Sequence, residues 1–259
     1  MSNRYHSQYF DSGIFNFDYA PIADAIIKSY QPKTVIEFGC GSGQLSKALA
    51  AQGVSIVALD GYATPDFAGF PSIQFYKADL NNPASVKKFL KDLNQSFDLA
   101  ISMEVAEHLQ PEVSEDLIKM MTSVAGAVVF SAAVLEQDGD GHINCQTRSF
   151  WHKLFQDNQF QLKDTIRKQI RENPKVGKWY ALNTVDYVKK DKPLSTDEYQ
   201  QLINNLVASE SEASSNFYYA NRRADYKGQL LQFPLVNSAF NFRNFLKKMV
   251  GKKPLSTEL

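Results

Sequence analysis

A hydrophobic run that ends in alternating glycines decides the fold: VIEFGCGSGQLS, residues 35–46. Its β-branched beginning predicts a buried strand, and the residues after Gly43 predict a helix. Glycines at positions 39, 41 and 43 let the backbone turn tightly and let a ligand approach where a Cβ atom would collide. Because strand, turn and helix follow in the order that a nucleotide-type site requires, the segment predicts a nucleoside-like ligand at this turn.

The residues around this segment alternate short apolar runs with helix-like stretches, which is typical of a parallel sheet covered by helices on both faces. Proline stands in the first turn of two of these helices, where it is well tolerated. The sequence therefore predicts an α/β domain. The candidate strands are residues 34–38, 55–59, 73–76, 97–102 and 127–131, and the candidate helices are residues 43–52, 83–93 and 111–124.

Beyond the fifth strand the pattern predicts a loop, a helix and one late strand. Residues 135–145 are rich in Gly, Asp and Asn, and residues 147–158 have a helical pattern. The β-forming residues 179–188 predict a strand that pairs with the sheet. We therefore expect the sheet domain to span residues 33–190.

The two ends of the chain are expected to be accessory to this domain. Residues 1–32 carry many aromatic side chains before a helix that begins near Ile22, and they predict an arm packed over the sheet or a lid over a ligand. Residues 191–259 predict a polar linker, with SESEASS at residues 209–215, and a basic amphipathic helix at residues 242–250. Such a helix fits an acidic membrane surface, a second subunit or its own domain.

Composition limits the classes of function. The 259 residues contain 28 basic and 28 acidic side chains, so no net field gathers nucleic acid and no nucleic-acid partner is expected. The two cysteines lack CxxC spacing, which argues against a disulfide framework and favours a reducing, cytoplasmic compartment. No apolar run has the roughly 20 residues that a membrane span needs, and the first ten residues do not resemble a secretory leader.

Acidic side chains follow the second and third candidate strands. Asp60, which precedes Gly61, can accept hydrogen bonds from both hydroxyls of a ribose. Asp79, which precedes Leu80, can contact the edge of an adenine, or it can cap the turn that follows. Both acids are expected at the same sheet edge as the glycine turn.

Four motifs in combination resemble those of the class I S-adenosylmethionine-dependent methyltransferases: EFGCGSG (37–43), LD (59–60), ADL (78–80) and FDLAISMEVAEHL (97–109). The resemblance implies a Rossmann-like, doubly wound, mostly parallel seven-stranded sheet with helices on both faces, and S-adenosylmethionine as cofactor. A nicotinamide-dependent dehydrogenase is disfavoured, because its GxGxxG fingerprint directs a diphosphate onto a helix N-terminus, where Glu37 would repel it.

The same resemblance implies a role for each residue of the motifs. The glycine turn and Glu37 before it would hold the charged methionine end of the cofactor. Asp60, after the second strand, would hold the ribose, and Asp79 and Leu80, after the third strand, would flank the adenine. The residue at the end of the fourth strand would line the methyl-transfer side. The implied cofactor-binding residues are Glu37, Gly39, Cys40, Gly41, Gly43, Asp60, Gly61, Asp79, Leu80 and Met103.

A second group of polar residues follows the fourth strand. Glu104, Glu107 and His108 stand at i, i+3 and i+4, which on a helix places all three on one face. His142 lies in the loop after the fifth strand. Because the loops after the fourth and fifth strands of a doubly wound sheet face the same crevice, we expect the two histidines to meet there.

This spacing is similar to that of the magnesium-assisted methyltransferases, namely the small-RNA 2′-O-methyltransferases and the ubiquinone-pathway O-methyltransferases. That resemblance implies that Glu104, Glu107, His108 and His142 ligate a divalent cation such as Mg²⁺. The alternative is that acid and imidazole only order a helix start beside the cofactor. In that case His142 is the candidate general base, with His108 as its neighbour and Glu104 on the methyl-transfer side.

The resemblance implies methyl transfer to a hydroxyl of a small-molecule or glycan acceptor. The chain departs from the RNA enzymes in lacking a recognisable basic surface, which disfavours an RNA acceptor. Two alternatives stay open at this point: N-methylation of a small amine, and a cofactor-binding partner subunit without catalytic activity.

Overall fold

A single sheet organises the part of the chain that the computed structural model describes, residues 17–137, 139–190 and 195–231, without the side chains of Thr196, Tyr199 and 216–231. Its strands are β1 (Thr34–Phe38), β2 (Ser55–Asp60), β3 (Ile73–Lys77), β4 (Leu99–Met103), β5 (Ala127–Ser131), β6 (Phe160–Leu162) and β7 (Val185–Lys189). Their order is β3-β2-β1-β4-β5-β7-β6, and β7 alone runs antiparallel to its neighbours. The expected seven-stranded, mostly parallel sheet is confirmed.

Helices connect the strands, and two of the described helices begin at a side-chain cap. Asn82 accepts a hydrogen bond from the amide of Ser85 (3.2 Å), and Thr147 accepts one from Phe150 (3.2 Å). None of the described helices combines the length and the apolar content that a bilayer crossing requires. The helices are α1 (Ala20–Tyr30), α2 (Gln44–Ala50), α3 (Pro83–Leu93), α4 (Ser114–Val124), α5 (Arg148–Asp157), α6 (Ile166–Ile170), α7 (Lys178–Asn183) and α8 (Thr196–Leu231).

The core has an apolar cluster on each face of the sheet. Successive residues of β1 enter opposite clusters: Ile36 and Phe38 pack on the side of α3, α4 and α5, whereas Val35 packs on the side of α1 and α2. This arrangement explains why the parallel strands are almost continuously apolar rather than alternating with polar residues. The sheet is therefore a rigid platform with both faces covered.

The chain reverses its direction of winding between β1 and β4. These strands are parallel neighbours, with Val35 opposite Leu99 and Glu37 opposite Ile101, although β2 and β3 lie between them in the sequence. The loops that follow β1 and β4 consequently diverge and open a crevice at the carboxyl edge of the sheet. A ligand site is expected in this crevice.

The expected late strand is only partly correct. Residues 179–188 were predicted to be extended, but α7 occupies the first half of that stretch and β7 the second half. The ring of Trp179 packs against Phe17, and that of Tyr180 packs against Tyr19. These tertiary contacts outweigh the β propensity of the aromatic residues.

The expected linker at residues 209–215 is wrong, because that stretch lies within α8. Leu206, Ser209 and Ala213 are buried at i, i+3 and i+7, so one face of the helix belongs to the core. The described residues up to Ala213 form one compact unit, which extends past the predicted boundary at residue 190. The second unit begins at Ser214 and is described as helix up to Leu231.

The expected amphipathic helix at 242–250 and the aromatic residues before Phe17 lie outside the described residues.

Candidate active site

The glycine turn after β1 adopts a conformation and a packing that other residues would disturb. Gly39 and Gly43 have φ angles of 80° and 74°. A Cβ atom at position 39 would lie 2.6 Å from Cγ2 of Val105, and one at position 43 would collide with the ring of Phe67. The amides of Gly39 and Cys40 both donate to the carbonyl of Leu59, at 2.8 and 2.9 Å. The turn is thus held against the end of β2, and the side chains of Val105 and Phe67 fill the space beside its glycines.

Glu37 lies beneath this turn at the end of β1. Its side chain is buried and accepts a hydrogen bond from the hydroxyl of Ser46 in α2. Burial raises the pKa of Glu37 to about 7, the Ser46 hydrogen bond partly offsets this, and the charge of Asp60 raises it further. The carboxyl group is therefore close to half-protonated at neutral pH, and a bound cation would favour its charged form.

Asp60 ends β2 and anchors the loop that follows. Its Oδ1 accepts from the amides of Tyr62 and Ala63, both at 2.7 Å, and its Oδ2 accepts from the amide of Gly41 at 2.9 Å. A carboxylate has about four lone-pair sites, so these three contacts leave about one, on Oδ2, for a ribose hydroxyl. Asp60 thus ties the glycine turn to the predicted ribose position.

The ends of β2 and β3 meet where the adenine was expected. A Cβ atom at Gly61 would lie 2.9 Å from Cα of Asp79, which shows how closely the two loops approach. Asp79 is exposed, and its Oδ1 accepts from the amide of Asn81 at 2.9 Å, so it has the turn-capping role that the sequence left open. Leu80 is buried beside it, and Met103 is buried at the end of β4.

The segment after β4 is not the helix that the spacing predicted. Glu104 has a left-handed backbone with φ of 54°, and only Ala106–His108 form a short 3₁₀ turn. The amide of Glu104 donates to both the carbonyl and the hydroxyl of Ser131, each at 3.0 Å. These contacts with β5 stabilise a conformation that a non-glycine residue seldom adopts. Glu104 therefore does not share a helix face with Glu107 and His108, although its carboxyl group lies close to that of Glu107.

Glu107 occupies the centre of the 3₁₀ turn and is fully buried. No donor among the described residues reaches its carboxyl oxygens in good hydrogen-bond geometry, although the carboxyl group of Glu104 and the amide of Ala133 lie close to them. Burial, reinforced by the nearby charge of Glu104, raises the pKa of Glu107 well above its usual range. A buried carboxyl group without a donor is costly, so this position is suited to a ligand that supplies positive charge or a donor.

His108 and His142 meet above Glu107, as predicted. Their ring centroids are 4.8 Å apart, and one ligand atom from each histidine and from Glu107 lie within 4.8 Å of one another. Nδ1 of His108 is 3.2 Å from the carbonyl oxygen of Gly141, and Nδ1 of His142 is 2.9 Å from that of Gln137. A proton on each Nδ1 satisfies these carbonyls and places a lone pair on each Nε2. Burial, with the neighbouring His142, lowers the pKa of His108 to about 4.

The loop that carries His142 is fixed to the 3₁₀ turn. The amides of Ile143 and Asn144 both donate to the carbonyl of Glu107, at 2.9 and 3.0 Å. The side chain of Asn144 donates to the carbonyl of Ala106 and to the hydroxyl of Ser114. Two segments that are distant in sequence therefore form one structural unit.

Glu104 lies outside the group of three ligand atoms and has other partners. Nδ2 of Asn183 in α7 lies 3.2 and 3.3 Å from its two carboxyl oxygens, and 2.8 Å from Oε1 of Gln137. Asn183 and Gln137 are buried, and the sequence analysis missed both. Neither belongs to a motif, and Asn183 falls in the stretch that was predicted as strand. Gln137 comes close through the loop after β5, and Asn183 comes close because α7 leads into β7, which lies beside β5.

The comparisons with known proteins agree with this geometry. A family model described as a methyltransferase domain matches residues 19–167, more than half of the chain. Phosphoethanolamine N-methyltransferase 3 of Arabidopsis thaliana is 26% identical over 170 residues, 62% of this chain and 32% of that protein. The ubiquinone biosynthesis O-methyltransferase of Brucella ovis is 29% identical over 103 residues, 38% of this chain and 40% of that protein. The chain thus matches well under half the length of these relatives.

A solved structure has a similar fold. The 1,6-didemethyltoxoflavin-N1-methyltransferase of Burkholderia thailandensis, with bound 1,6-didemethyltoxoflavin and S-adenosylhomocysteine, superposes with a TM-score of 0.51 at 16% identity. The match covers 71% of this chain and 84% of that one. Sheet order, glycine turn and family match therefore agree, and the chain belongs to the methyltransferase domain family, within the class I S-adenosylmethionine-dependent superfamily that its motifs resemble.

Proposed function

We propose that this protein transfers the methyl group of S-adenosylmethionine to a hydroxyl group of a small-molecule or glycan acceptor. The observation that carries the choice of a hydroxyl is the group formed by Glu107, His108 and His142, with ligand atoms within 4.8 Å of one another. This group lies at the carboxyl edge of the sheet, where the loops after β4 and β5 meet. Its chemistry suits the activation of an oxygen atom.

The cofactor half of the proposal assigns a role to each residue of the glycine-turn side. Glu37 faces the ammonium group of the methionine end, Asp60 accepts hydrogen bonds from the ribose, and Asp79 and Leu80 flank the adenine. The left-handed glycines give the turn the tight backbone conformation that positions Glu37 and Asp60 on either side of it. Since the sulfonium is already an activated leaving group, proximity and alignment supply most of the rate.

The donor set of the second group fits a divalent cation. Glu107 offers buried carboxyl oxygens that no donor reaches in good hydrogen-bond geometry among the described residues. The tautomer favoured by the carbonyls of Gly141 and Gln137 directs Nε2 of each histidine away from those carbonyls. We therefore propose Glu107, His108 and His142 as the ligands and Glu104, outside the group, as a neighbouring carboxylate. A bound Mg²⁺ would polarise the acceptor oxygen and make it more nucleophilic.

His142 has two roles that exclude each other. As a cation ligand it uses the lone pair of Nε2, whereas as a general base it uses the same lone pair to take the hydroxyl proton. In both roles the carbonyl of Gln137 holds the ring orientation through Nδ1. If activity survives exhaustive chelation undiminished, a role for the cation is excluded and His142 is the general base.

Transfer to an amine is a second candidate, favoured by the neighbouring carboxyl groups of half-buried Glu104 and buried Glu107. Such a pair of acceptors suits an ammonium group as well as a metal ion, and the amine must lose its proton before it accepts the methyl group. Incubation of a cell extract with isotopically labelled S-adenosylmethionine, followed by identification of the labelled product, distinguishes an O-methyl from an N-methyl product. No labelled product above that of an Asp60→Ala control would favour a non-catalytic cofactor-binding subunit.

The cofactor site can be tested without knowledge of the acceptor. Calorimetric titration with S-adenosylhomocysteine should give a measurable affinity for the wild type and a severe loss for Asp60→Ala. Asp66→Ala is the matched control, because Asp66 lies in the same loop, is exposed and accepts only from the nearby amide of Ala68 among the bonds described (2.8 Å). Wild-type affinity in Asp60→Ala would show that the ribose site is misassigned.

A further inference from the structure

The end of the N-terminal arm contributes a phenol to the crevice. Tyr19 immediately precedes α1, and its hydroxyl oxygen lies 3.2 Å from that of Tyr180 in α7. The neighbouring rings of Phe17 and Trp179 also meet edge to face, with centroids 4.8 Å apart. Tyr180 is 7% exposed, so the pair is largely shielded from solvent. The described end of the arm is thus packed onto α7 through two aromatic pairs.

This pair lies between the two halves of the proposed site. Tyr19 and Tyr180 pack into the same apolar cluster as Cys40 and Leu45 of the glycine-turn region and Met103 at the end of β4. On the other side, α7 reaches the carboxyl group of Glu104 through Asn183. Burial raises the pKa of Tyr19, and the charges of Glu37 and Glu104 raise it further. The phenols are therefore neutral donors beside two acids.

The pair formed by Tyr19 and Tyr180 keeps one hydroxyl hydrogen that can be donated to a ligand. Two phenols carry two O–H groups, and a hydrogen bond between them uses one. The other hydroxyl hydrogen can be donated to a ligand, and the pairing restricts where it points. A neutral phenol that donates to an ionised group makes a charge-assisted hydrogen bond, which is stronger than one between neutral partners.

The charges around the crevice show which ligand group needs such a donor. The methionine end of the cofactor carries an ammonium and a carboxylate. Glu37 suits the ammonium, but Glu37 and Glu104 both repel a carboxylate. Arg148, whose charge reaches Glu104, has its two terminal nitrogens bound to the carbonyl of Leu182 and the hydroxyl of Ser209. A neutral donor is therefore the appropriate partner for the carboxylate on this side.

We propose that the hydroxyl of Tyr19, oriented by Tyr180, donates a hydrogen bond to the amino-acid carboxylate of the bound cofactor. This inference rests on the proposed function, and it makes the end of the arm a part of the cofactor site. Tyr19 is then a cofactor-binding residue, and Tyr180 is a positioning residue that acts through it.

The test compares two ligands that differ at this group. S-adenosylhomocysteine has the amino-acid end, whereas 5′-methylthioadenosine lacks it and retains the adenosine. By calorimetry, Tyr19→Phe should lose about tenfold or more in affinity for S-adenosylhomocysteine, as expected for a hydrogen bond to a charged group. Its affinity for 5′-methylthioadenosine should stay at the wild-type value. Tyr180→Phe should show a smaller loss with the same ligand selectivity.

Tyr30→Phe is the matched control, since it removes a part-buried phenol hydroxyl from the same helix region. The Tyr30 hydroxyl donates to Asp186 at 2.5 Å and has no role in the proposed site. Its variant should bind both ligands as the wild type does. Undiminished affinity of Tyr19→Phe for S-adenosylhomocysteine, or an equal loss for both ligands, would overturn the inference while leaving the proposed function intact. A wild-type protein that binds neither ligand would overturn the proposed function, and the inference with it.

Discussion

Single residues set the electrostatics of the crevice, and Glu37 is the clearest case. Its pKa of about 7 results mainly from burial, so the free protein holds a proton there below neutral pH. The ammonium group of a bound cofactor would favour the ionised carboxylate. Ligand binding is therefore linked to the release of this proton.

The affinity for S-adenosylhomocysteine should consequently rise with pH. Below about pH 7 the increase approaches tenfold per pH unit for a single linked proton, and above it the affinity levels off. Calorimetry between pH 6 and 8, in buffers of different ionisation enthalpy, should show proton release at the acidic end. Glu37→Gln should bind more weakly and lose this pH dependence. An unchanged pH profile in Glu37→Gln would exclude Glu37 as the linked group.

The backbone of Glu104 is strained, because its φ of 54° is left-handed. A left-handed backbone costs an L-residue about 1 kcal/mol or more, and the side chain of Glu104 is half-buried. Glu104→Gly should therefore raise the free energy of unfolding by about 1 kcal/mol, measured by urea denaturation, although the site loses a carboxylate. The control Glu112→Gly, at an exposed residue with ordinary helical geometry, should lower it. Destabilisation of both variants alike would mean that the Glu104 conformation carries no strain.

At the scale of elements, the first half of α8 is part of the core. Leu206 is 2% exposed, whereas its neighbour Val207 is 57% exposed. Leu206→Ala should lower the free energy of unfolding by about 2–4 kcal/mol, because it removes a buried side chain and leaves a cavity. Val207→Ala should change it by less than about 0.5 kcal/mol. Equal urea midpoints for the two variants would show that this helix face is not packed on the domain.

The elements also show how far the sequence analysis could reach. The strands from β1 to β5 and the glycine turn were predictable, because burial on both faces and the need for φ above zero leave local signatures. The 3₁₀ turn was not, since the spacing of Glu104, Glu107 and His108 also suits a helix. Likewise, α7 forms where Trp179 and Tyr180 find partners before α1, which no local pattern reveals. The polar composition of residues 209–215 concealed a helix with one buried face.

For the whole molecule, the balanced net charge conceals a local accumulation of acids at the carboxyl edge of the sheet. Glu37, Asp60, Glu104 and Glu107 are brought there from strands that are separated in the sequence. A ligand that binds only the native arrangement stabilises the whole fold, by an amount that grows with its concentration. A cation bound at Glu107 should therefore change the global unfolding transition.

Addition of Mg²⁺ or Mn²⁺ after exhaustive chelation should raise the midpoint of thermal unfolding of the wild type. Glu107→Gln should lose this response, because it removes the charged ligand, while the exposed Glu112→Gln should retain it. The measurement needs neither acceptor nor cofactor. Identical midpoints for the wild type with and without millimolar cation would argue against the cation and for His142 as the base.

The shared carbonyl of Leu59, which receives the amides of both Gly39 and Cys40, has a consequence for adaptability. It joins the first two strands into one body before any cofactor arrives, so the adenosine side is preorganised during folding. Of the loops on the proposed acceptor side, the one after β4 packs against this turn through Val105, whereas the one after β5 is bonded to the 3₁₀ turn instead. If the proposed function holds, substitutions in the loop after β5 should change the preferred acceptor and leave the affinity for the methyl donor unchanged.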